Sequence, residues 1–115
     1  MALEVRAEAQ DKASIIHLKG EMDSAAVGAY ENEVKSAMES GRYNLVLDMA
    51  ELIYLDSSGL SSIIRTLRIT SKYGGSLKIA GVNQAIKKIF DITRLGEIID
   101  THPNLESALG SFGNM

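Results

Sequence analysis

Leu45-Val46-Leu47 is an uninterrupted apolar run, and soon after it Leu60, Ile63, Ile64 and Leu67 recur at i, i+3, i+4 and i+7. The first pattern belongs to a short strand covered on both faces, the second to a helix with one buried side. A chain that passes repeatedly from one period to the other folds as strands alternating with helices. After an initial hairpin, that order implies right-handed crossovers and a largely parallel sheet.

The remaining segments follow suit. Leu3, Val5, Ala7 and Ala9 alternate with Glu4, Arg6, Glu8 and Gln10, predicting a half-buried strand whose charged outer positions suit a sheet edge. Asp11-Lys12 reads as a turn, and Ser14 to Lys19, with Ile15, Ile16 and Leu18, as the second strand. His17 lies in it, at the strand surface or packed. Gly20-Glu21-Met22-Asp23-Ser24 breaks the pattern. Asp23 or Ser24 can then cap a helix lined by Val27, Tyr30, Val34, Ala37 and Met38 and closed at Gly41. Tyr43 to Met49 is a central strand, with Asp48 at its end bonded to nearby backbone, and Glu51 to Leu55 leads up to Asp56. The next helix runs from Ser58 to about Tyr73 and stops at Gly74-Gly75. Ser76 to Val82 is a strand, and Asn83 caps a helix with Ala85, Ile86, Ile89 and Phe90 inward. Leu95-Gly96 closes it, and Ile98-Ile99 occupy a short strand. His102 sits in an exposed turn, and Pro103-Asn104 opens a last helix with Leu105, Ala108 and Leu109. The expected fold is α/β, with a mixed, mostly parallel five-stranded sheet, one antiparallel edge strand and about four helices. One domain spans residues 1–110, and residues 111–115 form a frayed tail.

Composition narrows the function. The net charge of −3 argues against general nucleic-acid binding, which needs a basic stripe. No cysteine is present, so neither disulfide nor thiol chemistry is expected, and two histidines leave little for a zinc site. No signal-peptide core or apolar run near the ~20 residues of a membrane span occurs, so a cytoplasmic protein is expected, without direct membrane insertion. The charged edge strand favours a monomer.

The chemistry concentrates at Asp56-Ser57-Ser58-Gly59. These side chains stand where helix N-caps belong, at the positive end of a helix dipole whose first amides lack internal partners. A hydroxyl there can cap the helix, and a phosphate there meets free donors. A serine hydrolase would need Gly-x-Ser-x-Gly with a later acid and histidine. Here the first glycine is missing and His102 is the only later histidine. No phosphate-binding loop of the Gly-x4-Gly-Lys type occurs, and the acidic pair of a phospho-aspartate receiver is absent. No catalytic residue, metal or cofactor is assigned. Two readings of the turn remain, a cap alone or a switch centred on Ser58. Asp23, likewise, is either a cap or part of a surface beside Ser58.

Asp56-Ser57-Ser58-Gly59-Leu60, preceded by Leu45-Val46-Leu47-Asp48 and Gly20-Glu21-Met22-Asp23, resembles the STAS domain family (sulphate transporter and anti-sigma factor antagonist) over nearly the whole chain. It most resembles the free-standing bacterial anti-anti-sigma factors. Ser61 departs from the pattern, since many relatives have glycine after the leucine. The resemblance implies that Ser58 is phosphorylated by a cognate anti-sigma serine kinase that uses ATP. It further implies that the unphosphorylated protein binds that kinase and frees the sigma factor, and that a PP2C-type phosphatase needing a divalent metal resets the cycle. Asp23, Asp56, Ser57, Ser58 and Gly59 are then expected at the partner interface. Ser61, Ser62 and Arg65, on the helix face opposite Ile63 and Ile64, would extend it or form a solvated face. A constitutive scaffold or transporter-associated adaptor is the alternative.

Overall fold

The structure, a computed structural model, describes residues 2–112. Five strands, β1 (Glu4–Ala9), β2 (Ser14–Met22), β3 (Leu45–Leu55), β4 (Leu77–Ala80) and β5 (Asp100–His102), lie side by side in chain order. β1 runs antiparallel to β2 at one edge, and the other pairings are parallel. The helices are α1 (Val27–Glu39), α2 (Ser57–Lys72), α3 (Gln84–Thr93) and α4 (Leu105–Gly110), with a 3-10 turn at Leu95–Glu97.

Alternation along the strands divides the sheet into two faces. Ile16, Leu18, Leu45, Leu47 and Ile79 meet Tyr30 and Val34 of α1, Ile63 of α2, and Ile86 and Phe90 of α3 in the main core. On the other face Ile15, Val46 and Ala80 pack under Ala108 of α4, with Leu105, Leu109 and Phe112 at the margin. Leu45, Val46 and Leu47 are each fully buried, as their continuous apolar run requires. The rest of the second face carries charge. His17 Nδ1 lies 2.7 Å from Asp48 and its Nε2 2.9 Å from Glu8, and Lys19 stands between Glu4 and Glu51.

Several elements differ from the sequence reading. β2 does not stop at Lys19 but continues through Gly20 to Met22, and β3 continues to Leu55. Gly20 makes this possible. Its φ of +110° is one that L side chains rarely adopt, and a Cβ there would run into the Ala2 carbonyl. α1 begins only at Val27, after a turn over residues 24–26. Asp23 bonds the amides of Ala25 and Ala26, but Ala26, which flanks the helix, has no side-chain cap.

α3 buries Ile86 and Phe90 and leaves Ala85 exposed, because the inner stripe passes one position further on. It ends on Arg94 in the left-handed conformation, φ 59°, rather than at Gly96. β5 is Asp100–His102, not Ile98-Ile99. The amide of Ile99 folds back onto Leu95, which buries Ile99 and leaves Ile98 outside, so Asp100, Thr101 and His102 fall in register with Lys78, Ile79 and Ala80. His102 is accordingly not an exposed turn residue. Its ring is held by Ser107 and Asp100, 2.9 Å from each. Phe112, expected in the tail, packs beside α4 with the Lys78 ammonium 4.9 Å over its ring. Residues 113–115 of that tail lie outside the described residues.

Candidate functional site: the paired ends of β2 and β3

Met22 and Leu55 are opposite each other as the last residues of two parallel strands. An aspartate follows each, Asp23 and Asp56, and a helix begins beyond. The Asp56 amide donates to the Met22 carbonyl at 3.3 Å, so the two turns lie side by side. They share a construction. Asp23 Oδ1 accepts from Ala25 and Ala26 N–H at 3.1 Å. Asp56 Oδ1 accepts from Ser58 N–H at 2.9 Å and Gly59 N–H at 3.1 Å. Among the described residues the second oxygen of each carboxylate has no protein partner.

Asp56 is thus the N-cap of α2, and Ser57 and Ser58 are its first two helical residues. Ser57 is exposed and Ser58 half-buried. Among the described residues neither hydroxyl is hydrogen-bonded to protein. Capping is accomplished without them. Gly59 is buried, and a Cβ on it would meet a Leu55 methyl and come within 2.8 Å of the Met22 carbonyl. The first turn of α2 therefore sits directly on the strand ends, and no larger residue fits at that contact.

Ser61 and Arg65 are exposed, but Ser62 is not on the outer face. It is 1% exposed, between α2 and α1. Of the face expected from Leu60, Ile63, Ile64 and Leu67, Ile63 is fully buried and the other three only partly enter the core. The stripe that packs most deeply is Gly59, Ser62, Ile63, Thr66 and Thr70. Its small and hydroxyl side chains let α1 approach.

Their polar atoms are satisfied across the helix pair. Ser62 Oγ and Arg65 Nη2 both donate to Glu31 Oε2, at 2.6 Å each. These two donors, the serine hydroxyl first, hold the Glu31 carboxyl below the usual glutamate range. Thr66 Oγ1 donates to the Ser62 carbonyl at 2.9 Å, so the Tyr30 hydroxyl, 2.6 Å away, is the donor in their contact. Burial pushes the Tyr30 phenol up. Apolar periodicity places Tyr30 on the buried face of α1, as the structure does, but it did not reveal Glu31 or Thr66. The available signal was the spacing of Ser62, Thr66 and Thr70 at i, i+4 and i+8.

The two histidines are engaged away from Ser58, His17 with Asp48 and Glu8, and His102 with Ser107 and Asp100. Among the described residues no group of three or more His, Cys, Asp or Glu side chains could hold a metal ion. No helix among them is long and apolar enough to cross a membrane.

The STAS domain family model matches residues 4–108, and the chain belongs to that family. An anti-sigma-B factor antagonist of Bacillus subtilis is 29% identical over 94 residues, covering 82% of this chain and 85% of its own. In fold, the chain is similar to an anti-sigma factor antagonist from Mycobacterium paratuberculosis, with TM-score 0.87 and 22% identity, covering 96% of this chain and 94% of that one. It is also similar to the Bacillus cell fate determinant SpoIIAA in its phosphorylated form, with TM-score 0.71 and 21% identity, covering 96% and 98%.

Proposed function

We propose that the chain is an anti-sigma factor antagonist whose affinity for its partner is set by phosphorylation of Ser58. The unphosphorylated protein binds a cognate anti-sigma serine kinase in the cytoplasm and so frees a sigma factor. That kinase transfers the γ-phosphoryl group of ATP to Ser58, the complex separates, and a PP2C-type phosphatase restores the hydroxyl.

The observation that carries this reading is the division of labour at the head of α2. Asp56 alone caps the helix, and Ser58 keeps an unbonded, partly accessible hydroxyl beside it. The name of the Bacillus subtilis relative and the phosphorylated SpoIIAA support the same role.

Phosphoserine adds about −1.5 to −2 charges near neutral pH. The new charge enters a turn that already holds Asp56 and adjoins Asp23. In the free protein the first amides of α2 and water accommodate it. A docked partner matched to a neutral hydroxyl would instead have to desolvate a dianion. Disruption of a buried polar contact of this kind costs about 2–5 kcal/mol, roughly a 30- to 4,000-fold loss of affinity. The fold need not change. Asp23, Asp56, Ser57, Ser58, Ser61 and Arg65 make up the docking surface. Gly59, buried on the strand ends, and Ser62 lie beneath it, and Ser62 fixes Glu31 and through it Arg65.

Paired pulldowns from the source organism's lysate, with wild type and Ser58→Asp as baits, test the reading. Wild type should capture an ATP-binding serine kinase that Ser58→Asp does not hold. Equal capture of one transporter or scaffold protein by both baits would make the chain a constitutive adaptor.

A further inference from the structure

The turns that carry Asp23 and Ser58 offer a partner only polar and small groups. Protein interfaces draw most of their affinity from a few apolar or aromatic side chains at the centre, ringed by polar contacts. Such an anchor has to be found elsewhere on the same end of the molecule.

The register of β2 and β3 supplies it. From His17 to Lys19, β2 advances two residues while its partner advances three, from Asp48 to Glu51. From Gly20 to Glu21, β2 advances one while β3 advances two, from Leu52 to Tyr54. β3 therefore bulges twice on its way to α2, and Ile53 is the residue left unpaired at the second bulge. Bulges of this kind re-aim a side chain. Leu52 and Leu55 are buried on either side, while Ile53 is 54% and Tyr54 46% exposed. β4 stops opposite Asp48 and does not cover this stretch. The nearest tie is the Asn83 side chain, which donates to the Leu52 carbonyl at 2.7 Å.

Position singles out this pair. The other exposed large apolar side chains among the described residues are Ile69, Tyr73, Ile92 and Ile98. β2 to β5 all run the same way, so the helices that follow them begin at the Ser58 end. Ile69 and Tyr73 lie at the far end of α2, Ile92 at the far end of α3, and Ile98 before β5 begins. Only Ile53 and Tyr54 share the end that carries Ser58. Five residues of chain span at most about 18 Å. A standard interface covers roughly 800 Å² per partner, a disc about 30 Å across. One partner reaches both.

We propose that Ile53, carried outward on the β3 bulge, and Tyr54 beside it form the apolar anchor by which the anti-sigma kinase grips this protein, the kinase presenting an apolar recess next to the pocket that reads the Ser58 hydroxyl. The inference rests on the partner-switching reading and divides the surface into two parts. The anchor sets how tightly the partner holds, and Ser58 sets when it lets go.

The test titrates the purified kinase recovered by the wild-type pulldown against wild type, Ile53→Ser, Tyr54→Ser, Ile69→Ser and Ser58→Asp. Ile53→Ser and Tyr54→Ser should each weaken binding about tenfold or more. Ile69→Ser, which removes a comparable side chain from the far end, should stay within about twofold. Thermal melts exclude unfolding as the cause. The chain has no cysteine, so a fluorophore on Ile53→Cys gives an independent readout, a blue shift when the kinase is added. Wild-type affinity in both anchor variants, with Ser58→Asp still deficient, overturns the anchor and leaves the switch standing. Equal weakening by Ile69→Ser, or a fluorophore that stays in water, also overturns it. Full binding by Ser58→Asp removes the partner-switching reading, and the anchor falls with it.

Discussion

Met22 and Leu55 end two parallel strands opposite each other, and the amide of Asp56 closes onto the Met22 carbonyl at 3.3 Å. Sequence positions more than thirty apart are thereby made neighbours, and the Asp23 and Ser58 turns become one surface. Its stability and its chemistry can be tested separately.

Asp56 caps α2 with one oxygen, so its shape and its charge are separable. Asp56→Ala should lower stability by about 1 kcal/mol, and Asp56→Asn, which keeps the accepting oxygen, by less than about 0.5 kcal/mol. Urea unfolding of the three proteins measures this. Equal losses would mean that the negative charge, not the cap bond, holds the helix end.

Two glycines in helices should respond in opposite directions. A Cβ at Gly59 meets the Met22 carbonyl and Leu55, whereas one at Gly28 meets nothing within 4 Å. Gly59→Ala should destabilise by about 1–3 kcal/mol as the first turn of α2 is pushed off the strand ends. Gly28→Ala should stabilise by about 0.5 kcal/mol. A neutral Gly59→Ala would show that this turn does not rest on the strands.

The α1–α2 tie should carry a pH signature. Ser62, and after it Arg65, hold the Glu31 carboxyl below its ordinary value. A carboxyl depressed in the folded chain adds stability that is fully present above the unfolded value, about 4.3, and is lost as pH falls through the lower folded value. Ser62→Ala should therefore cost about 1 kcal/mol at pH 7, and that difference should shrink as the pH falls below about 4. A difference independent of pH would assign Ser62 a packing role only.

The alternation of strands and helices was legible because apolar spacing reports it directly, as at Leu45–Leu47 and around Ile63. The cap at Asn83 and the stops at Gly41 and Gly74 were legible for a similar reason, since few residue types suit those backbone positions. Bulged strands were not. The extra residues in β3 and the positive φ of Gly20 break the alternation, so Gly20–Met22 and Glu51–Leu55 read as connections although they pair. β5 was misplaced because a three-residue edge strand is held by register and by the 2.7 Å Lys78–Asp100 contact, not by apolar burial. Ser62 reads as an outer-face residue by its polarity, and the burial of Ser62, Thr66 and Thr70 depends on Glu31, Tyr30 and backbone carbonyls that become partners only in the fold. At the site, the residue types of the Asp56–Gly59 turn were plain in the chain. That Asp56 alone provides the cap was not.

The central claim is that Ser58, and not a neighbouring hydroxyl, carries the signal. The direct measurement incubates the protein with its captured kinase and ATP, maps the phosphate by mass spectrometry, and compares the affinity of modified and unmodified protein for that kinase. The account predicts one phosphate, on Ser58, absent from Ser58→Ala, and a fall in affinity of at least about 30-fold, the lower bound expected for a buried polar contact turned into a dianion. A phosphate on Ser57 or Ser61 instead, or an affinity unchanged by the phosphate on Ser58, would contradict it.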